Sequence, residues 1–331
     1  MHTQVSAGSV GQGELALPQA ASPGRPALAV SDQVFRAAAL ACALLVLTVL
    51  VGILASMLYG GWPVFREFGL VDFITGSTWD VNNDRYGAWP AIAGTLSTAL
   101  IALVLGVPIS LGIAVFLTQL SPPWLKRPIG TAVEILAAVP SIVYGMWGLF
   151  VLAPLVAAYV QVPLNQVVEG MPIVGTILYS QVPSGTGIAT AGVILAFMII
   201  PFIASVTRDM FDQIPTVLRE SAYGIGCTTW EVVRHVLVPQ AGVSIIGAIM
   251  LGLGRALGET MAVTFVVGNA NRLSASIFEP GSTIASRIAN EFNEALGLQM
   301  SALIALGCVL FVVTFVVLAV ARALIARVKV Y

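Results

Sequence analysis

Six long apolar runs with almost no charge dominate this chain: Val34 to Tyr59, about Ala88 to Leu120, Thr131 to Val160, Thr186 to Phe211, Gly242 to Gly268 and Gln299 to Ala326. About 20 apolar residues suffice to cross a bilayer as a helix, and hydrocarbon admits only backbone whose polar groups are satisfied internally. The expected fold is an all-α integral membrane protein with six transmembrane helices. Composition agrees: 9% of residues are charged, against about 25% in soluble domains. Pro90, Gly106, Pro108, Pro140, Gly145 and Pro201 interrupt the runs, which bundle helices tolerate because their neighbours satisfy the freed backbone groups. The first run exceeds the roughly 7 to 15 residues of a signal-peptide core and reads as a retained anchor.

Charge and cysteine usage remove other classes. The net charge is −1 and the only lysines are Lys126 and Lys329, which excludes the basic surface a nucleic-acid partner needs. Cys42, Cys227 and Cys308 are too few and too scattered for a disulfide framework or a metal site. Residues 1–33 have no apolar period and read as a flexible tail. With the N-terminus inside, ten Lys and Arg face the cytoplasm and four (Arg66, Arg85, Arg272, Arg287) face outward. Both termini are therefore expected to be cytoplasmic. Trp62, Trp79 and Trp89 suit the outer interface, and Trp124 the inner one. Ile284, Ile288, Phe292 and Leu296 recur at helical spacing, predicting a short outer helix that either closes the bundle or docks a partner.

Between the fourth and fifth runs, Arg208 to Gly242 reads as two short helices with a hinge. Pro215 suits a first turn, and Leu218, Ala222 and Ile225 form one stripe. Gly224 and Gly226 break the helix before Thr228 or Thr229 caps the next. Trp230, Val233 and Leu237 form a second stripe, ended by Pro239. The order Glu220-Ser221-Ala222, three residues, Gly226, nine residues, then Val236-Leu237-Val238-Pro239 resembles the EAA loop of the membrane subunits of ABC importers. Ser221 replaces an alanine of that pattern, and Val236 and Val238 are conservative changes. The resemblance implies that Glu220, Ser221, Ala222, Gly226 and Pro239 belong to a hairpin that docks on a cytoplasmic ATPase subunit. No phosphate-binding loop is present, since neither lysine follows a glycine. ATP hydrolysis is expected in a separate subunit, so the chain itself reads as no enzyme and needs no cofactor.

Arg255 sits mid-run in the fifth span, where an arginine costs on the order of 3 kcal/mol. Glu259, four residues on, shares its helical face. The pair reads either as a buried ion pair that fixes packing or as an anion site on a translocation path, because guanidinium presents a planar fork of donors to an oxyanion. Thr260 and Asn269 add polarity toward the outer end. Protonated phosphate can donate a hydrogen bond to Glu259, whereas sulfate cannot. Gly252, Gly254 and Gly258 allow close helix approach in either reading. The remaining membrane carboxylate is Glu134, expected four residues into the third span.

The segment from Ile245-Ile246-Gly247 through Gly254-Arg255-Ala256-Leu257-Gly258-Glu259-Thr260-Met261 to Gly268-Asn269 resembles the C-type permeases of phosphate importers of the Pst system. Trp79, Gly87-x-x-Pro90-x-x-x-Gly94-Thr95-Leu96 and Val139-Pro140-Ser141-Ile142-Val143-Tyr144-Gly145 resemble them too. That resemblance implies a six-helix permease bundle of MetI-like type. Its expected partners are a related A-type permease, two copies of a cytoplasmic ATPase and an external phosphate-binding protein. Arg255, Glu259 and Thr260 are the implied substrate pathway in a prokaryotic cell membrane. The alternatives are the same machine for sulfate or molybdate, and a standalone ion-coupled anion transporter. A membrane enzyme is disfavoured: there is no metal-ligand cluster, and His2 and His235 are the only histidines.

Overall fold

The computed structural model describes residues 26–171, 174–272 and 274–327. Six of its helices are long and apolar enough to cross a membrane. Those helices are α1 (Pro26–Phe68), α3 (Trp89–Leu120), α5 (Ser141–Val168), α7 (Ile188–Gln213), α9 (Thr229–Gly258) and α12 (Gly297–Arg327). Between them come α2 (Leu70–Thr75), a hairpin of β1 (Trp79–Asp80) and β2 (Arg85–Tyr86), α4 (Pro123–Ala138), α6 (Val174–Leu178), α8 (Thr216–Gly224), α10 (Met261–Val266) and α11 (Ile284–Glu291). Most of the expected tail lies outside the described residues. Helix α1 already begins at Pro26, so residues 26–33 are helical rather than irregular.

The chain divides at Ile53. In the first unit, the side chains of residues 32–53 are exposed on every face of α1, as suits a helix whose solvent is lipid. In the second unit, α7 packs against both α3 and α9. The core there is built from Ala99, Ala102, Ala191, Ile194, Ile199, Ile203, Ala248 and Leu257. Small residues set these distances, as is usual where the hydrophobic effect does not hold helices together. A Cβ on Gly192 would lie 2.6 Å from Ile101 Cγ2, and one on Gly106 would lie 2.9 Å from Ile199 Cγ1. A second cluster (Phe73, Trp79, Tyr86, Ile92, Ile284, Leu303, Leu306) covers one end of the bundle. A third (Ala114, Phe211, Ala222, Val233, Leu237, Ile245) seats the 208–241 hairpin at the other.

The third and fifth spans start elsewhere than the sequence reading places them, and the first, third and fifth end at Phe68, Val168 and Gly258 rather than at Tyr59, Val160 and Gly268. The third span starts at Ser141, because Val139 and Pro140 are extended (ψ 129° and 137°) and separate it from α4. Glu134 is therefore on α4, outside the third span. The fifth span starts at Thr229 and runs through Pro239, so Pro239 does not end the second hairpin helix. The reason is a π turn, Val233–Leu237, closed by a bond from Val238 N–H to the Val233 carbonyl five residues back. Similar turns end at Ser121, Ala153 and Val162. Each of these four closing donors directly precedes a proline: Pro122, Pro154, Pro163 or Pro239. A proline ring clashes with the carbonyl four residues back, and widening the preceding turn relieves that clash: the helix continues through Pro154, Pro163 and Pro239 and ends only at Ser121, before Pro122.

Candidate functional site

Helix α9 ends at Gly258, and Glu259 leaves it with extended backbone (φ −71°, ψ 129°). After one irregular residue, Thr260, α10 begins at Met261. Arg255 thus occupies the last turn of α9, while Glu259 lies beyond it. The expectation that they share one helical face fails, since that rule holds only while the helix continues. Among the described residues no ion pair joins them. Glu259 turns instead to the start of α10, where Oε1 accepts a hydrogen bond from Ala262 N–H at 3.4 Å. Thr260 Oγ1 donates to the Gly258 carbonyl at 3.4 Å, and the Thr260 carbonyl accepts from Thr264 Oγ1 at 2.7 Å.

Arg255 is held by an aromatic ring. Its guanidinium carbon lies 4.4 Å from the centroid of Phe202 on α7, and its Nε has no hydrogen-bond partner among the described residues. A guanidinium held over an aromatic ring by cation–π attraction keeps its N–H donors for another ligand. Phe202 escaped the sequence reading because it lies on another helix and nothing in its local pattern marks it. Behind the break, α10 meets α5: a Cβ on Gly145 would stand 2.9 Å from Ala262 Cα. The resemblance-bearing Gly145 is therefore a site of close backbone approach.

On the hairpin, α8 follows extended Pro215. Thr228 caps α9, and Glu231 returns the bond to the Thr228 N–H, forming a capping box. Gly226 adopts φ +92° between the two helices, a conformation that glycine takes readily. Of the residues proposed for ATPase contact, Glu220, Ser221, Gly226 and Pro239 are exposed and Ala222 is buried. The two expected stripes split. Ala222, Val233 and Leu237 face the core, whereas Ile225 (84%) and Trp230 (67%) stand in the open with Val217 and Leu218.

The opposite end holds a second polar cluster. Arg287, buried on α11, stacks 4.8 Å from the Trp79 ring and donates to Ser282 Oγ at 2.6 Å. Burial pushes its guanidinium down to about 10, against the pull of Glu291, so it remains charged at neutral pH. The Trp79 indole and Gln299 both donate to Glu291 Oε2. Trp79 is thus a buried hydrogen-bonding residue rather than an interfacial one. Helix α11 is shorter than the expected stripe: it ends at Glu291, its residues Ile284 to Arg287 are buried, and Phe292 and Leu296 beyond it are exposed. In the adjoining hairpin, the Asn83 side-chain amide and the Asn82 N–H hold the Asp80 carboxyl below its ordinary value.

The comparisons with known proteins fit this architecture. The family described as "Binding-protein-dependent transport system inner membrane component" matches residues 106–330. The chain is 51% identical over 301 residues to the phosphate transport system permease protein PstC of Mesorhizobium japonicum, covering 91% of each chain. It is 52% identical to the PstC of Haemophilus influenzae, with 90% and 94% covered, and 39% identical to PstC 2 of Mycobacterium tuberculosis, with 88% and 91% covered. A bacterial ABC transporter involved in importing the polysaccharide alginate shares the fold at a TM-score of 0.59 and 16% identity, covering 90% of this chain and 97% of that one. Six apolar helices and these relatives make this a multi-pass protein of the cell membrane. The chain belongs to the binding-protein-dependent transport system inner membrane components, and among them to the PstC-type permeases.

Proposed function

We propose that this chain forms half of the translocation path of an ATP-driven phosphate importer, with Arg255 as its main anion-binding group and Glu259 and Thr260 beside it. The observation that carries the reading is the guanidinium of Arg255, lying over the Phe202 ring and paired with no carboxylate among the described residues, in the last turn before the break that ends the fifth span. An arginine neutralised by its own glutamate would compete poorly for an oxyanion, whereas this one keeps a fork of donors available. The PstC relatives, named as phosphate transport permeases, supply the substrate class. Glu259 then favours an anion that still carries a proton.

In this reading both termini face the cytoplasm, and the α8 hairpin docks on one copy of a cytoplasmic ATPase through Glu220, Ser221 and Gly226, with Pro239 close by. An A-type permease with its own ATPase copy completes the path, and an external phosphate-binding protein delivers the anion. ATP binding and hydrolysis in the partner drive alternating access here. The test is radiolabelled phosphate uptake by the assembled complex in vesicles, with and without internal ATP. Wild type should take up phosphate only with ATP. Arg255→Gln should lose uptake about 100-fold or more, as expected when a charge-assisted bidentate contact is removed, in a complex of unchanged composition. Normal transport by Arg255→Gln and Glu259→Gln would overturn the site, and uptake by this chain alone would overturn the ATP-driven reading.

A further inference from the structure

Helix α4 is fastened to the bundle by charge. Gly130 is its one buried residue among the sixteen of Pro123–Ala138, so apolar burial gives α4 little attachment. Instead Arg208, near the end of α7, donates from Nη2 to Glu134 Oε1 at 2.8 Å and to its neighbour Asp209 at 3.0 Å. Lys126 Nζ reaches the two Asp212 oxygens at 3.0 and 3.2 Å. Gly130 makes room for this: a Cβ there would stand 2.8 Å from Arg208 Nη1.

Each side of this clasp continues into moving parts of the proposed machine. On one side, α7 passes through Ile214 and Pro215 into α8, and Arg219 of α8 donates back to the Phe211 carbonyl. The hairpin is therefore tied to the last turn of α7. On the other side, α4 passes through the extended Val139-Pro140 break into α5, and Tyr144 Oη donates across that break to the Leu136 carbonyl at 2.9 Å. Helix α5 then abuts α10 at Gly145 and Ala262, and α10 begins next to Glu259 and Thr260.

We propose that Glu134 and Arg208 are a positioning pair for transport: they transmit displacement of the α8 hairpin through α4 and α5 to the α9–α10 break. The proposal rests on the reading of α8 as the ATPase contact. It assigns Glu134 a mechanical role and places it outside the substrate path. A contiguous set of contacts is not by itself coupling, so the decisive quantity is the ratio of transport to hydrolysis rather than the stability of the complex.

The experiment measures phosphate taken up per ATP hydrolysed by the whole complex in vesicles, for wild type, Glu134→Gln, Arg208→Gln, the double variant and Glu220→Ala. Glu134→Gln and Arg208→Gln should each keep ATP hydrolysis while uptake per ATP falls about 2- to 30-fold. The double variant should be no worse than the poorer single, the signature of two groups acting through one contact. Should Arg208→Gln not assemble, Glu134→Gln carries the test, because its carboxylate is more than half exposed and its replacement is isosteric. Glu134→Gln at the wild-type ratio while Glu220→Ala is uncoupled would overturn the clasp and leave the hairpin reading standing. Wild-type ratios in both would overturn the hairpin reading and the clasp with it.

Discussion

Phe202 illustrates how one side chain can settle what a charged residue does. Cation–π attraction to an aromatic face contributes about 0.5 to 2 kcal/mol, more as the pair is desolvated, and it leaves the guanidinium N–H donors free. Phe202→Leu should therefore weaken half-saturation by phosphate about 2- to 30-fold, with hydrolysis in the complex retained. Phe202→Trp, which keeps an aromatic face, should bind phosphate more tightly than Phe202→Leu. Concentration-dependent uptake measures both, and equal half-saturation in all three proteins would remove Phe202 from the site. Arg255 was legible in the chain because hydrocarbon penalises every charge it contains. Its neighbour was not, because Phe202 lies 53 positions earlier on another helix. The supposed partner Glu259 was misplaced for a related reason: an i to i+4 relation presumes a helix that the Gly258-Glu259 backbone does not continue.

Elements show what periodicity reads well and where it fails. Apolar length located all six spans, yet the third and fifth began elsewhere. Hydropathy sums residues without registering that Val139-Pro140 is extended or that a π turn carries α9 past Pro239. Close contacts between elements are a separate matter. At Gly145, α5 meets the backbone of α10, and backbone cannot swing aside as a side chain does. Gly145→Val should destabilise the bundle by about 1 to 3 kcal/mol through overpacking, seen as a lower melting temperature in detergent and reduced uptake. Gly112→Ala is the control, because nothing lies within 4 Å of a Cβ there, and it should melt as wild type does. If both variants behave alike, the α5–α10 contact does not restrain the break.

For the whole molecule, the open apolar surface of the hairpin points to a partner. Val217, Leu218 and Ile225 lie outside the spans and Trp230 in the first turn of α9, and all four are exposed, an apolar patch of the kind that a protein surface covers. Ile225→Glu with Trp230→Glu should reduce co-purification of the ATPase at least 10-fold, while the stability of this chain changes by no more than the roughly 0.5 kcal/mol expected of surface substitutions. Unchanged co-purification would move the contact elsewhere on the hairpin. By itself the sequence determined that the chain is a six-helix membrane protein bearing a polar hairpin and an intramembrane arginine, because hydrocarbon demands long apolar helices and makes each charge conspicuous. Only the tertiary structure decided that Arg255 rests on Phe202, that Glu134 clasps Arg208 and that Trp79 and Arg287 are buried together. Those facts depend on helix breaks, helix rotation and contacts between residues far apart in the chain, and local composition and spacing do not encode them.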